Sequence, residues 1–101
     1  MVFRRIYWVT EQLSADGASD VTGVYTSIPD LMENGMRWLE SNPKRDGFRI
    51  TLVKLDSGGA PLGVWSGPGY IGIEEDLAPY VATKEFGAQD VEALAAKLRS
   101  F

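Results

Sequence analysis

The sequence predicts a small two-layer α+β fold. It has one four- to five-stranded, mainly antiparallel sheet with two helices on one face, in the order β-β-α-β-β-(β)-α. Three observations carry this. Apolar residues recur at helical spacing over 28–39 and again over 91–101. Runs rich in aromatic and β-branched residues mark strands at 2–10, 21–26, 48–55 and 62–66. Clusters of turn residues separate these runs. The 101 residues suit one domain, 1–101, and contain no repeat, low-complexity tract or linker.

Residues 2–10 (VFRRIYWVT) present mostly apolar residues on both faces, as expected of a strand covered on both sides or central in the sheet. Arg4 and Arg5 project to opposite faces and form no common patch. Gln12 to Asp20 is predicted to be a polar loop, with Val21 to Thr26 returning antiparallel and Gly23 marking a bulge or close packing point.

The first helix is the most legible element. Ile28, Leu31, Met32, Met36, Trp38 and Leu39 form its apolar stripe, with Glu33, Asn34, Arg37 and Glu40 opposite. Ser27 is placed to cap it, Pro29 is tolerated in its first turn, and Asn42-Pro43 stops it. Glu33 and Arg37 form an i,i+4 pair. Gly35 is out of place in such a helix, costing about 1 kcal/mol against Ala. Either a strand or ring approaches it closely, or the helix ends there. The stripe continues in phase through Leu39, so a continuous helix is expected.

Residues 41–47 read as a turn with a lone basic pair, Lys44-Arg45. Phe48, Ile50 and Leu52 then alternate with Arg49, Thr51 and Val53, the pattern of a half-exposed strand. Asp56-Ser57-Gly58-Gly59 predicts a hairpin into Leu62–Ser66, and Pro61 before that strand suits a sheet edge. Residues 67–85 are harder to read. Gly67-Pro68-Gly69 breaks the strand, Tyr70–Ile73 is a candidate fifth strand, and Glu74–Leu77 is one helical turn before Pro79. Ala88 to Ser100 forms the second helix, with Val91, Leu94, Ala95, Leu98 and Phe101 on its stripe.

The composition bounds function mainly by exclusion. The sequence has no Cys and no His. It therefore holds no thiol nucleophile, disulfide, Cys/His zinc site or Ser-His-Asp triad, and no cofactor is expected. Net charge is −4 and lacks the basic footprint of a nucleic-acid binder. No apolar run is long enough to span a membrane, and the N-terminal apolar run is too short for a signal peptide. Lack of Cys fits a cytoplasmic location.

Three features stand out as candidate sites. Glu74-Glu75-Asp76, with Glu85 nearby, could serve as acid and base or hold Mg²⁺ or Ca²⁺ through oxygen, but consecutive residues rarely converge on one point, so a solvated acidic turn is expected. Gly67–Gly72 offers G-x-G spacing, but a phosphate cradle must open a helix, and here three acids follow. Trp65 and Tyr70 flank the glycine-rich break, with Glu74 and Glu75 just beyond. These four residues are the candidate ligand or partner surface. The expected function is a non-enzymatic module binding another protein or itself, as a homodimer, through a half-apolar open sheet face. The alternative is a small-molecule-binding domain or metal-independent enzyme using Tyr and Glu side chains near 67–76.

Overall fold

A computed structural model describes residues 6–42, 47–54, 60–70 and 72–100. Strands β1 (Ile6–Leu13), β2 (Ser19–Tyr25), β3 (Phe48–Lys54) and β4 (Gly63–Gly67) form one antiparallel sheet in the order β2-β1-β3-β4. A helix, α1, lies between β2 and β3 in three continuous pieces: Ile28–Asp30, a π-helical Leu31–Met36, and Arg37–Ser41. Helices α2 (Ile73–Ala82) and α3 (Ala88–Ser100) follow β4. The two-layer α+β architecture is as the sequence predicts. Among the described residues no helix is long and apolar enough to cross a membrane. The Arg4-Arg5 and Lys44-Arg45 pairs, the Asp56–Gly59 turn and Phe101 lie outside the described residues.

One sheet face carries the core. Trp8, Phe48, Ile50, Leu52 and Trp65 are buried there against Ile28, Leu31, Met36 and Leu39 of α1, Ile73 and Leu77 of α2, and Val91, Leu94 and Leu98 of α3. β1 is central, but only one of its faces is covered; Tyr7, Val9 and Glu11 on the other remain half-exposed. The expected loop at 12–20 is shorter than read, because Gln12 pairs with Asp20 and Leu13 with Ser19. The turn between them is closed locally, the Ser14 amide donating to the Ala18 carbonyl and the Ala18 amide to Asp16 Oδ1. Gln12 is buried yet satisfied, its amide donating to the Asn42 carbonyl at the end of α1 (2.9 Å).

The expected irregularity near Gly23 is a β-bulge. Thr10 faces Gly23 and Glu11 faces Val21, leaving Thr22 as the extra residue. Its hydroxyl meets that of buried Thr10 at 2.8 Å. The bulge shifts the alternation by one, so Val21 and Val24 both fall on the open face, 64% and 58% exposed.

α1 runs through Gly35, and a ring does approach it. A Cβ at Gly35 would lie 2.7 Å from Tyr25 Cε2 and 3.2 Å from Thr10 Cγ2. One at Gly23 would overlap the Tyr25 hydroxyl oxygen. The Tyr25 ring therefore occupies a slot whose two walls are bare glycine backbone. Ser27 caps the helix as predicted, its Oγ accepting from the Asp30 amide (3.1 Å).

The π-helical turn corrects two expectations. Trp38 is not part of the core stripe; it is 44% exposed. A π turn advances less per residue than an α turn, so the phase slips across it. Leu31 and Met36, five apart, both become fully buried, and Trp38 swings outward. The same slip leaves Glu33 and Arg37 without an ion pair among the described residues.

Residues 67–87 differ most from expectation. No strand forms at Tyr70 or Gly72, and Ile73 opens a ten-residue helix rather than a single turn. Gly72, at φ 100°, starts it in a left-handed conformation that favours glycine. Pro79 lies inside the helix on its solvent side; it denies the Glu75 carbonyl a helical donor without stopping the chain. A Schellman closure ends the helix. The Glu85 amide donates to the Tyr80 carbonyl (2.9 Å) and the Lys84 amide to that of Val81 (3.0 Å), with Lys84 left-handed at φ 64°.

Gly35→Ala is expected to destabilise the fold by about 1–3 kcal/mol through overpacking, despite the gain of about 1 kcal/mol in helix propensity. Urea unfolding midpoints at unchanged m-value measure this. In a Tyr25→Ala background the same substitution reverses sign and stabilises. A stabilising Gly35→Ala in the wild-type chain would show that the slot yields.

Candidate functional site

β4 is an outermost strand, paired on one side with β3. α2 runs beside it, since Ile73 and Leu77 sit in the core beneath the sheet. Asp76 and Tyr80, one helical turn apart, project from the α2 flank nearest β4. With Leu62, Gly63, Val64 and Trp65 they line a cleft of about 330 Å³, open to solvent. Trp65 is its floor, only 3% exposed, with its ring folded back over Gly63.

The polar groups converge on one carboxylate oxygen. Trp65 Nε1 donates to Asp76 Oδ2 at 2.8 Å, and the Tyr70 hydroxyl donates to the same atom at 3.3 Å. Asp76 Oδ1 receives no hydrogen bond from a described residue. Desolvation, then the Asp76 charge and hydrogen bond, push the Tyr70 hydroxyl above the ordinary phenol pKa. Behind the floor, Trp65 stacks obliquely on Trp8 (5.7 Å), Trp8 on Phe86 (5.6 Å) and Phe86 on Tyr80 (5.6 Å). The buried Trp8 indole N–H has no acceptor among the described residues. Such an unmade bond costs about 1–3 kcal/mol.

Of the four residues singled out in the sequence, Trp65 lines the cleft and Tyr70 joins it through Asp76. Glu74 lies on the other flank of α2 and pairs with Arg99 of α3 (2.8 Å). Glu75 is exposed on the outward side. Consecutive helical residues diverge by about 100° each, so the three acids cannot share a point. In sequence Asp76 reads as one of three consecutive acids in a solvated turn and Tyr80 as part of the general aromatic supply, neither of them grouped with Trp65 and Tyr70. The i,i+4 spacing of Asp76 and Tyr80 would have joined them had the helix been read through Pro79. The glycine-rich stretch does follow a strand and open a helix, but the acids of the first turn oppose an anion there. The cleft presents a carboxylate and aromatic walls, a combination suited to a cationic or extended guest.

The second candidate surface is the uncovered sheet face. Val24, Val9, Thr51 and Val64 stand in register across all four strands. Tyr7 and Val53 pair on one side of this row. On the other side Val21, Glu11, Arg49 and Ser66 form a parallel row. Arg49 grips Glu11 through both carboxylate oxygens (Nε 3.0 Å, Nη2 2.9 Å), and the Ser19 hydroxyl donates to Glu11 at 2.8 Å. The Arg49 hydrogen bond, with help from Ser19 and the Arg49 charge, holds the Glu11 carboxyl below its ordinary value against the opposing effect of burial.

A carboxyl with a depressed folded pKa stabilises the fold above its unfolded pKa, and that contribution is lost as pH falls through the lowered value. Glu11→Gln is therefore expected to cost about 0.5–1 kcal/mol at neutral pH, the upper range for a solvent-screened pair. The difference from wild type should shrink as pH falls through the lowered carboxyl value, below which both side chains are neutral. Urea midpoints across that range test this; a pH-independent difference would assign the effect to packing. No family model matches the sequence, and no curated protein or solved structure is significantly similar to it.

Proposed function

We propose that this chain is a non-enzymatic association module that pairs with a second copy of itself, sheet against sheet, through its bare face. The observation behind this reading is the row Val24, Val9, Thr51 and Val64, apart from its one threonine all valine, with Val24 and Val64 58% and 46% exposed. Two such faces can stack about 10 Å apart as in a β-sandwich. The pairing is two-fold, because the same patch serves both partners.

Size sets the strength. Four strands about 4.8 Å apart and about six residues long give a flat footprint of roughly 400 Å². Stable interfaces bury about 800 Å² per partner, so a reversible dimer is expected rather than an obligate one. The Glu11–Arg49 pair lies beside the valine row and supplies a polar rim that limits the ways two faces can meet. The absence of Cys fits a cytoplasmic setting for such a module. A second reading, a small-molecule site or metal-independent enzyme, draws on the Trp65–Asp76–Tyr70 cluster. The openness of that cleft favours a guest longer than a small molecule.

Light scattering after size exclusion, over about a hundredfold concentration range, should show a monomer passing to a dimer. Val24→Lys, which alters an exposed side chain, should weaken dimerisation at least about a hundredfold by burying an unpaired charge. Its far-UV dichroism should be unchanged. A wild-type chain that stays monomeric throughout would overturn the proposal.

A further inference from the structure

β4 brings together three features that β2, the other outermost strand, does not combine among the described residues. It is an outermost strand, so alternate N–H and C=O groups along its outer side face away from β3. The cleft shared with α2 runs along it, with Trp65 below and Tyr80 beyond. The cleft also holds a carboxylate, Asp76, with one oxygen free of hydrogen bonds from described residues. We infer that β4 takes an extended basic segment of a partner protein as an added strand.

The chemistry of the guest follows from the pleat. Side chains of an added strand alternate between the two sheet faces. Those directed to the helix side enter the cleft beside Trp65 and Tyr80, where Asp76 Oδ1 accepts from Lys or Arg. Those directed to the other side lie next to Val64, where a β-branched apolar residue continues the valine row. The guest therefore alternates basic with apolar residues. Charge complementarity favours this over an acidic or neutral strand. Of Glu74, Glu75 and Asp76 in the first turn of α2, only Glu74 has a cationic partner among the described residues, and the whole chain carries −4. Backbone pairing supplies much of the affinity and the cleft supplies the selectivity, as in other strand-addition complexes. This site borders the self-association face at Val64 but does not depend on self-association.

The test is a titration of the ¹⁵N-labelled chain with a capped heptapeptide of alternating valine and lysine, followed by amide shifts. Saturable shifts are expected at the β4 amides, the Trp65 indole N–H, Asp76 and Tyr80. Asp76→Asn should weaken binding about tenfold, the loss of one ion pair, and glutamate in place of lysine should weaken it at least as much. Two further peptides need no protein variant. N-methylation at alternate residues along one edge should abolish binding, and along the other edge should leave it intact. Equal binding by both methylated peptides would overturn strand addition. So would shifts at Val9 and Val24 in place of β4, or β4 shifts that follow chain concentration alone and mark the edge as a self-pairing strand.

Discussion

Much of this fold depends on the Tyr25 ring lying between two glycines. Gly23 allows the ring to fold back along its own strand, and Gly35 lets α1 come down onto it. A side chain at either position would hold helix and sheet apart, because close-packed interiors do not absorb a methyl group freely. Consequences run in both directions along the chain. At β2, the bulge at Thr22 keeps Gly23 and Tyr25 on the core face while directing Val21 and Val24 outward. At α1, the π turn that contains Gly35 brings Leu31 and Met36 into the core and turns Trp38 out. The same local geometry thus sets the core and the composition of the open face.

α3 ties the helical layer together. Lys97 meets Glu40 of α1 and Arg99 meets Glu74 of α2, both at 2.8 Å. The Leu98 carbonyl, near the end of α3, accepts from the Gly69 amide (3.0 Å). The ion pairs are solvent-exposed and contribute little each; the buried Val91, Leu94 and Leu98 contribute more. Together they seat Gly69 and α2, and so fix Tyr70 and Asp76 relative to Trp65. The cleft is a by-product of this packing. Its Asp76 is held by an indole on β4 and a phenol on the loop, so its position depends on three separate segments.

Elements with one dominant period were legible in the sequence. β3 alternates Phe48, Ile50 and Leu52 inward, α3 repeats Val91, Leu94, Ala95 and Leu98, and Ser27 announces α1. Elements governed by an exception to a period were not. Trp38 follows the α-helical phase in sequence, but the π turn that displaces it leaves no compositional mark beyond Gly35. α2 was hidden because a proline normally stops a helix. Pro79 is tolerated since it and Glu75 lie on the exposed side of the helix, where water can satisfy a carbonyl that lacks a helical donor. The site was half legible for the same reason: Trp65 and Tyr70 stand out as aromatic residues beside a glycine break, whereas Asp76 and Tyr80 become partners only on a continuous helix.

The two surfaces are physically adjacent, and this links them. Val64 belongs to both: it ends the valine row on the open face and borders the cleft at the sheet edge. A strand added to β4 would carry its outward residues into the plane of that row and widen it by about 4.8 Å. A wider apolar face buries more area against a second copy, so an occupied edge would strengthen self-association. By linkage the dimer would then bind the guest strand more tightly by the same factor. The opposite outcome follows if the stacked partner overhangs the edge and closes the approach to β4. Sheet twist limits both effects, because stacked sheets cross at about 30° and their corners diverge. β4 is an outermost strand, where that divergence is largest, so an added strand would avoid a clash with the stacked copy but gain little contact with it, and the coupling would be weak.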